Sequence, residues 1–425
     1  MSPDPSSKPA DSDPNYTVDC DEPVYLAGPL RPPWPSTVDS WRAGLLPSAV
    51  MADSRSMKET RVPMNHVSLK SRILVAALAA GMLGLSACSS EGPASSASSS
   101  GGLSGEIVGS GATSQESAQT TWRSAFTKKQ AGIKVSYNGG GSGKGASDFT
   151  SGAVAFAGSD DALSLDAMKA GSFAGCAESS NALNLPIYVS PIAMVYNVDG
   201  VKSLKLDATT AASIFSGKIT KWNDPAIAAL NSGETLPDTA ITVVHRSDKS
   251  GTTENFTDTL SQNASNVWTE KPSQTWPAAY SGESAEGTSG VVAAVKNGTG
   301  TIGYADMSQA SGLSVVSYGK DGNFVQPTGD EAAKVVSGSP ARTSGPANDQ
   351  AIALDRTQAG YPFVLVSYAL VCEQYKDSHT AELVKSYLGY VVSSEGQADA
   401  EKSAGSAPLA SALAGKVQGS IDSIK

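Results

Sequence analysis

The sequence predicts an α/β protein made of two lobes, and two observations support this class. Apolar or β-branched runs alternate along the chain with helical stretches, a pattern typical of helices layered on a sheet. The part expected to fold, 105–425, is about 320 residues long and exceeds what one ordinary hydrophobic core holds. Two lobes are therefore expected, and no internal repeat relates them.

The predicted strands are short runs without charged residues, and the predicted helices lie between and after them. The strands cover 135–137, 192–198, 241–244 and 363–371. The helices cover 115–129, 209–215, 252–260, 290–296 and 380–392, and a further short helix is expected to end at Phe149. Alternation of this kind favours a sheet with helices packed on its faces.

The composition excludes several classes of function. The 425 residues include 42 Gly, only 17% are charged and 40% are hydrophobic. The formal net charge of −10 argues against nucleic-acid binding, since such proteins usually carry a basic face. Three His and four Cys are too few and too scattered for most metal sites, so neither a metal nor another cofactor is expected. This balance favours a ligand site built from backbone groups and hydroxyls.

The first 104 residues are predicted to lie outside the folded part. Residues 1–63 are rich in Pro, Asp and Ser, and 88–104 is expected to be a Ser/Gly-rich tether. Between them, 64–87 has the pattern of a secretory signal, in which a basic start precedes a 13-residue apolar run that is too short to span a membrane. Its end, Leu-Ser-Ala followed by Cys88, resembles the bacterial lipoprotein signal, in which the cysteine is acylated.

Export would have two consequences for the chain. Because a secretory signal works at the N-terminus, 1–63 is interpreted as a disordered extension or as a wrongly assigned start, with the true start at Met64 or Met57. A genuine cytoplasmic extension on a signal anchor stays open. In an oxidising compartment, Cys176 and Cys372 form the one possible pair of the mature chain, and the alternative is two separate buried thiols.

Three glycine-rich turns each follow a predicted strand and open a helix. They are 109–114 (Gly-Ser-Gly-Ala-Thr-Ser), 139–145 (Gly-Gly-Gly-Ser-Gly-Lys-Gly) and 246–253 (Arg-Ser-Asp-Lys-Ser-Gly-Thr-Thr). Each leaves free backbone N–H groups at the positive end of a helix, and glycine lets that backbone approach an anion closely. Thr113 and Glu116 have the spacing of a capping box, which predicts Thr113 as an N-cap. One such turn is common in α/β proteins, but three, one with an arginine, favour an anion site.

The sequence does not fit three other kinds of site that have glycine- or serine-containing motifs. The second turn lacks both ends of the ATP-binding pattern Gly-x₄-Gly-Lys-Ser/Thr, because Asn138 and Gly145 stand at those positions. No turn combines Gly-x-Gly-x-x-Gly with the downstream acid of a dinucleotide site. A serine hydrolase would need Gly-x-Ser-x-Gly and a histidine base, but the motif is absent and only His245 and His379 follow the signal. His245 is interpreted as a partly exposed residue at a strand end.

The three turns and four further motifs occur in an order that resembles one known family. The further motifs are Ala-Gly-Ser-Asp-Asp-Ala-Leu at 157–163, Phe-Ser-Gly-Lys-Ile-Thr-Lys-Trp-Asn-Asp-Pro at 215–225, Gly-Thr-Ile-Gly-Tyr at 300–304 and Tyr-Pro-Phe-Val-Leu at 361–365. They resemble the substrate-binding protein of the bacterial high-affinity phosphate ABC importer, and the cysteine pair and lipoprotein start are similar to its actinobacterial branch. The resemblance spans 105–425, essentially the whole folded part.

This resemblance implies a type II periplasmic-binding-protein fold that closes on one phosphate by hinge motion. Such a fold has mixed sheets flanked by helices, and two crossing strands form its hinge. Lobe I is expected to comprise 105–190 and 363–425, and lobe II is expected to comprise 191–362. The first two turns would then face the third turn across the cleft.

The resemblance also implies which residues bind phosphate. The turns donate hydroxyl and backbone N–H groups, Arg246 forks onto phosphate oxygens, and Asp248 holds that fork in place. Ser114 donates through its backbone N–H, although many family members have Phe at its position. Asp160 accepts the proton of the bound anion. The complete set is Thr113, Ser114, Ser142, Asp160, Arg246, Asp248, Ser250, Gly251 and Thr252.

The carboxylate of Asp160 gives this set its selectivity. A carboxylate beside an anion is repulsive unless a proton lies between them, and phosphate near neutral pH carries such a proton whereas sulfate does not. Asp160 is therefore expected to discriminate against sulfate by about 10⁴–10⁵-fold. The negative net charge repels a dianion at long range, but salt screens this repulsion beyond about 8 Å. Short hydrogen bonds in the cleft are expected to dominate affinity.

The function implied by the resemblance is phosphate transport. The chain would bind inorganic phosphate outside the cytoplasm and deliver it to the transmembrane permease subunits of an ABC importer. It is expected to be a monomer, anchored by lipid at the outer face of the bacterial cell membrane, without catalysis and without nucleic acid. Two alternatives stay open: an extracellular phosphate-handling enzyme such as a phosphatase, which would need a metal cluster or an activated nucleophile, and a receptor for another oxyanion.

Overall fold

The computed structural model of this chain describes residues 102–169 and 173–425. The predicted extension 1–63, the predicted signal 64–87, the lipidation site Cys88 and most of the tether lie outside the described residues. Within the part that the structure describes, no helix is both long enough and apolar enough to cross a membrane.

Strands alternate with helices along most of the described chain, which confirms the α/β class. The strands are β1 (Gly105–Gly111), β2 (Ile133–Gly139), β3 (Phe156–Ser159), β4 (Ala182–Asn197), β5 (Leu204–Leu206), β6 (Thr242–Arg246), β7 (Glu283–Ala285), β8 (Thr301–Asp306), β9 (Ser314–Lys320), β10 (Asn323–Val325) and β11 (Val364–Cys372). The helices are α1 (Glu116–Lys129), α2 (Ser142–Thr150), α3 (Ala208–Phe215), α4 (Pro225–Leu230), α5 (Gly251–Asn263), α6 (Gly287–Asn297), α7 (Gly329–Gly338), α8 (Ser378–Val392), α9 (Ser394–Ala404) and α10 (Ser411–Ser423). Two 3₁₀ turns cover Thr113–Gln115 and Met307–Gln309.

One mixed sheet connects the strands of the described residues. Its main path runs β2-β1-β3-β11-β4-β8-β6-β7, and β9 pairs with the end of β4 and with β5 and β10. β1 is parallel to β2 and β3, and β6 is parallel to β7 and β8. β11 and β4 run antiparallel to each other and to their other partners on this path. The sheet therefore has two parallel parts on either side of an antiparallel pair.

Strand β4 joins the two parts of the sheet. Its first ten residues, 182–191, pair with β11, and its last six, 192–197, pair with β8. All of its residues except the last are buried, as expected for a strand covered on both faces. The sequence predicted a strand only from Ile192, and the part of β4 before that residue contains Pro186 and Pro191. Here Pro186 lies at a register shift between β4 and β11, where a missing N–H is tolerated.

The expected passage between the lobes at 183–198 falls on β4, and the expected return at 361–372 falls largely on β11, but the lobe boundaries themselves stay a prediction. Residues 342–352, placed in lobe II by that prediction, bond to residues of predicted lobe I. The backbone N–H of Gln350 donates to the carbonyl of Asn184 at 3.0 Å, and that of Ile352 donates to the hydroxyl of Tyr368 at 3.2 Å. This segment is therefore bonded to the predicted lobe I part of the sheet.

The C-terminal region holds more helix than the sequence indicated. Helix α8 was predicted, and it packs against α1 and α10. Helices α9 and α10 were not predicted, because their polar and glycine-containing sequences lack a strong apolar period. The sulfur atoms of Cys176 and Cys372 are bonded, with their Cα atoms 5.2 Å apart, so the end of β11 is linked to the loop that precedes β4.

Candidate anion-binding site

The three glycine-rich turns meet at one edge of the sheet. They follow the carboxyl ends of the parallel strands β1, β2 and β6, where open α/β sheets generally bind ligands. Backbone bonds join them: the N–H groups of Gly140 and Gly141 donate to Gly111 O at 2.9 Å, and Gly143 N–H donates to Lys249 O at 3.1 Å. Chain segments more than 100 residues apart therefore form one concave group of helix N-termini, close to the end of β3.

Asp160 lies at the centre of this group and is only 3% exposed. Its Oδ1 accepts hydrogen bonds from Ser114 Oγ and Ser367 Oγ, both at 2.6 Å, and its Oδ2 accepts one from Thr252 Oγ1 at 2.9 Å. Burial raises the pKa of Asp160 above its ordinary value, although the three hydroxyls and the charge of Arg246 act in the opposite direction. The carboxylate is thus buried but well supplied with donors.

The main chain of Asp160 is held on both sides. Its N–H donates to Ser142 Oγ at 3.1 Å, at the start of α2, and its carbonyl accepts from Asn255 Nδ2 at 2.7 Å. Asn255 Nδ2 also donates to the carbonyl of Gly251 at 2.9 Å. The buried guanidinium of Arg356 donates to Asn255 Oδ1 and so fixes the orientation of this amide. Helix α5 is thereby locked against the loop that carries Asp160.

Arg246 and Asp248 form a two-point ion pair beside the turns. Arg246 Nε donates to Asp248 Oδ1 at 2.7 Å, its Nη2 donates to Oδ2, and the N–H of Gly287 donates to Oδ1 at 3.1 Å. Burial alone would raise the pKa of Asp248, but the hydrogen bonds and charge of Arg246, with the N–H of Gly287, lower it below its ordinary value. An arginine has five N–H donors, so three of those on Arg246 are not used in this pair.

The third turn supplies the start of α5. Ser250 caps the helix, since its Oγ accepts from Thr253 N–H at 3.2 Å, and its own N–H donates to Gln274 O at 2.9 Å. The N–H groups of Gly251 and Thr252 occupy the first helical turn, where no intrahelical acceptor exists. The backbone donors of this turn are therefore Gly251 and Thr252, whereas Ser250 keeps only its hydroxyl hydrogen for a ligand.

The prediction that Thr113 caps the first helix is wrong. Thr113 lies inside the 3₁₀ turn that precedes α1, and no side chain caps either element. Its hydroxyl instead lies 2.8 Å from Thr288 Oγ1 and accepts from Thr288 N–H at 3.2 Å. The spacing between Thr113 and Glu116 does not distinguish an N-cap from the first residue inside a helical turn. Thr113 occupies the latter position, and its hydroxyl contacts the start of α6.

The structure brings all nine predicted residues together and adds three that the sequence did not indicate. Ser367 and Asn255 bond to Asp160, and Thr288 bonds to Thr113. Ser367 stands inside the apolar run of β11, where a lone serine has no chemical pattern around it. Ser114 was predicted to act through its backbone N–H, but its hydroxyl also donates to Asp160.

A second pair of carboxyl groups lies beside the site. Asp161 follows Asp160, and Glu254 comes from the first turn of α5; the two side chains are within hydrogen-bonding reach of each other. Gln274 Nε2 donates to Asp161 Oδ2 at 2.9 Å. Burial raises the pKa of both groups, and that of Glu254 rises to about 8 because burial and the charge of Asp161 both disfavour its ionisation. Near neutral pH the pair therefore shares a proton.

Neither histidine of the described chain lies in a catalytic arrangement. The ring of His245 stacks on Trp276 with centroids 5.0 Å apart, and its Nδ1 lies 2.9 Å from the carbonyl of Arg246. His379 Nε2 lies 2.9 Å from the carbonyl of Ser104, at the far end of β1. Across 102–169 and 173–425, no group of His, Cys, Asp and Glu side chains has the geometry of a metal site.

Comparison with known proteins agrees with this architecture. The family model of the PBP superfamily domain matches residues 96–395. Solved structures share the fold: a high-affinity periplasmic phosphate-binding protein (PfluDING) bound with phosphate has a TM-score of 0.59 at 23% identity, covering 74% of this chain and 93% of that chain. A phosphate-binding protein from Stenotrophomonas maltophilia has a TM-score of 0.58 at 21% identity, covering 74% of this chain and 94% of that chain. The fold and the site define a two-lobed protein of the periplasmic-binding-protein class.

Curated relatives narrow this class to a family. The chain is 36% identical over 378 residues to the phosphate-binding protein PstS2 of Mycobacterium bovis, covering 84% of this chain and 99% of the relative. It is 38% identical over 333 residues to the phosphate-binding protein PstS 3 of Mycobacterium tuberculosis, covering 74% of this chain and 88% of the relative. The chain belongs to the PstS-type phosphate-binding proteins, the substrate-binding components of phosphate ABC transporters.

Proposed function

We propose that this chain binds inorganic phosphate reversibly at the three turns and delivers it to the permease of an ABC importer. The observation that carries this proposal is the buried carboxylate of Asp160, which lies among helix N-termini and faces Arg246. Backbone and hydroxyl donors with one arginine suit a small oxyanion. The carboxylate suits an anion that itself has a proton to donate. Relatives named as phosphate-binding proteins support the same ligand.

Each group has a definite part in binding. The unused N–H groups of Arg246 and the backbone N–H groups of Gly251 and Thr252 donate to phosphate oxygens. An ionised carboxylate has about four acceptor positions, and hydroxyl groups fill three of those on Asp160. The remaining position, on Oδ2, accepts the phosphate hydroxyl. Sulfate offers no proton there, so it would meet an unscreened like charge in a buried site.

Binding is coupled to opening and closing of the two parts of the sheet. The site residues are almost fully buried; Asp160 is 3% exposed and Arg246 is 2% exposed. Groups from both predicted lobes bond directly, as between Thr252 and Asp160 or between Thr288 and Thr113. Phosphate can enter or leave only when these bonds break, so the closed form retains the ligand and opening releases it.

The cellular setting belongs to the same proposal. The chain is exported by the signal at 64–87, acylated at Cys88 and held by the tether at the outer face of the bacterial cell membrane. It acts as a monomer without catalysing a reaction. The disulfide between Cys176 and Cys372 suits an oxidising compartment outside the cytoplasm.

A titration of the purified protein with phosphate, sulfate and arsenate by calorimetry tests the proposal. We expect tight binding of phosphate and arsenate, negligible binding of sulfate, and no phosphatase activity. Asp160→Asn removes the negative charge and replaces one acceptor oxygen with an NH₂ donor, so phosphate affinity should fall by about 10–100-fold. Asp166→Asn is the control for the same chemical change at an exposed position, where Asp166 forms an ion pair with Lys169. Equal phosphate affinity in Asp160→Asn and Asp166→Asn, or turnover of a phosphate ester, would contradict the proposal.

A further inference from the structure

A chain of buried side chains leads from the helical layer to Asp160. Tyr387 OH donates to Gln119 Oε1 at 2.7 Å, and Gln119 Nε2 donates to Gln115 Oε1 at 2.9 Å. Gln115 Nε2 donates to Ser367 Oγ at 2.6 Å, and Ser367 Oγ donates to Asp160 Oδ1 at 2.6 Å. All five residues are at most 3% exposed, so water does not compete for these bonds. This hydrogen-bond chain begins on α8, passes through α1 and the 3₁₀ turn before it, and crosses to β11.

The chemistry of the side chains determines which atom donates in each of these hydrogen bonds. Gln115 Nε2 also lies 3.3 Å from the backbone carbonyl of Tyr368, which can only accept, so the amide nitrogen must face that side. Ser367 Oγ accepts from the same amide, and its single hydrogen is left for Asp160. Every donor therefore points toward the carboxylate. Aligned hydrogen bonds in a low-dielectric interior polarise and strengthen one another.

We propose that Ser367, Gln115, Gln119 and Tyr387 are positioning residues that hold Asp160 as an ionised hydrogen-bond acceptor and thereby determine the preference for a protonated anion. This inference rests on the proposed function. Oδ1 of Asp160 already receives two hydroxyl hydrogens, so a proton on that atom would displace one of them. Oδ2 is left with one free position, which faces the ligand. The hydrogen-bond chain thus stabilises the ionised form of Asp160, which is the form that excludes sulfate.

Other groups around Asp160 set the background for this effect. The charged or titratable groups that face it from neighbouring elements are Arg246 of β6, Tyr137 of β2, Asp306 of β8 and the adjacent Asp161. Burial raises the pKa of Tyr387, so the hydroxyl that begins the chain stays a donor at all pH values near neutrality. Among residues 102–169 and 173–425, the neutral donors to the carboxylate are Ser367, at the end of the hydrogen-bond chain, and the hydroxyls of Ser114 and Thr252.

The test compares Ser367→Ala with Ser420→Ala. Ser420 is a matched control, because its buried hydroxyl also accepts from a glutamine amide, Gln350 Nε2 at 3.0 Å, and donates to a backbone carbonyl, that of Lys416 at 3.2 Å. Dissociation constants for phosphate and for sulfate are measured by calorimetry between about pH 5 and pH 9. A charge-assisted hydrogen bond contributes about tenfold or more, so losing one should move the acid limit of phosphate binding upward by about one pH unit.

Sulfate provides the second readout. Once protonated, Asp160 becomes a donor that a sulfate oxygen can accept, so Ser367→Ala should bind sulfate at a pH where the wild-type protein and Ser420→Ala do not. Tyr387→Phe deletes only the far end of the chain and preserves shape, so we expect a smaller shift in the same direction. Its control is Tyr375→Phe, which loses a buried hydroxyl bonded to Ala155 O at 2.7 Å.

The outcomes distinguish failure of the positioning role from failure of the proposed function. If Ser367→Ala keeps the pH profile and sulfate rejection of Ser420→Ala, the positioning role is overturned. A loss of phosphate affinity by the same factor at every pH, without sulfate binding, would show only a packing defect and would overturn it as well. A wild-type protein that does not bind phosphate would refute the proposed function itself, which the wild-type titration alone reveals.

Discussion

Replacing Gly251 with alanine perturbs the closed site at one defined contact. Gly251 begins α5 and faces the loop of Asp160 from the other side of the site. A Cβ atom built on it would lie 2.6 Å from Ser142 Oγ and 2.8 Å from the Cβ of Asp160. Ordinary contacts begin at 3.4 Å, so the added methyl group is about 0.8 Å too close to Ser142. The backbone φ of Gly251 is not in the left-handed region, so the obstacle is space and not conformation.

The size of the effect follows from this overlap. Helix α5 must withdraw from α2 and from Asp160 by up to about 0.8 Å, and the donors of the third turn withdraw with it. Positional errors near 1 Å in a preorganised polar site cost about 100-fold. We therefore expect Gly251→Ala to weaken phosphate binding by about 100-fold, while the unliganded protein keeps its fold because the two sides can separate.

Calorimetric titration with phosphate measures the affinity, and the melting temperature of the unliganded protein checks the fold. Gly415→Ala is the matched control, since Gly415 lies in α10 with nothing within 4 Å of its built Cβ. Phosphate affinity in Gly251→Ala within about threefold of the control would refute the reasoning, because the third turn would then not need its close approach to Asp160.

Three further outcomes follow from contacts near the site. Burial raises the pKa of Glu254 from 4.5 to about 8, so between these values the folded protein binds more protons than the unfolded chain and stability falls as pH rises. In Glu254→Gln the melting temperature should depend less on pH over that range, and above pH 8 it should be higher than that of the wild type. If the melting temperatures of variant and wild type instead change with pH in parallel, the shared proton is contradicted. Asn255→Ala leaves Arg356 without one acceptor, so the free energy of unfolding, measured by urea denaturation, should fall by about 2–3 kcal/mol. Replacing both cysteines of the Cys176–Cys372 disulfide, which are 196 positions apart, should lower stability by about 3–5 kcal/mol, and calorimetric unfolding of oxidised and variant protein measures it.

Local patterns in the sequence were sufficient for the turns, for four of the eleven strands and for six of the ten α-helices of the described residues. A glycine-rich segment between a strand and a helix makes the same backbone donors wherever it stands, so the turns at 109–114, 139–145 and 246–253 could be identified one by one. Arg246 and Asp248 are only two positions apart, and their ion pair is likewise local. The error at Thr113 shows the limit of such patterns, because one residue of offset turned a predicted cap into a contact with α6.

Long-range pairing was beyond the reach of the sequence. Ser367 lies 207 positions from Asp160, and Gln115 lies 252 positions from Ser367. No spacing rule connects residues so far apart, and a serine in an apolar strand or a glutamine in a helix looks ordinary in its own neighbourhood. Strand β4 was likewise only half predicted, since the register shift beside Pro186 depends on pairing with β11, far along the sequence.

The sequence by itself determined the α/β class and the three helix-opening turns, one of which carries an arginine, because each depends on neighbouring residues, whereas the acid at Asp160 was implied by the family resemblance. The tertiary structure alone decided how Asp160 is held. Its hydroxyl donors come from the 3₁₀ turn before α1, from α5 and from β11, and they meet only when β4 and β11 bring the two parts of the sheet together. A buried carboxylate stays charged only when such donors surround it, so its charge state is a property of the fold.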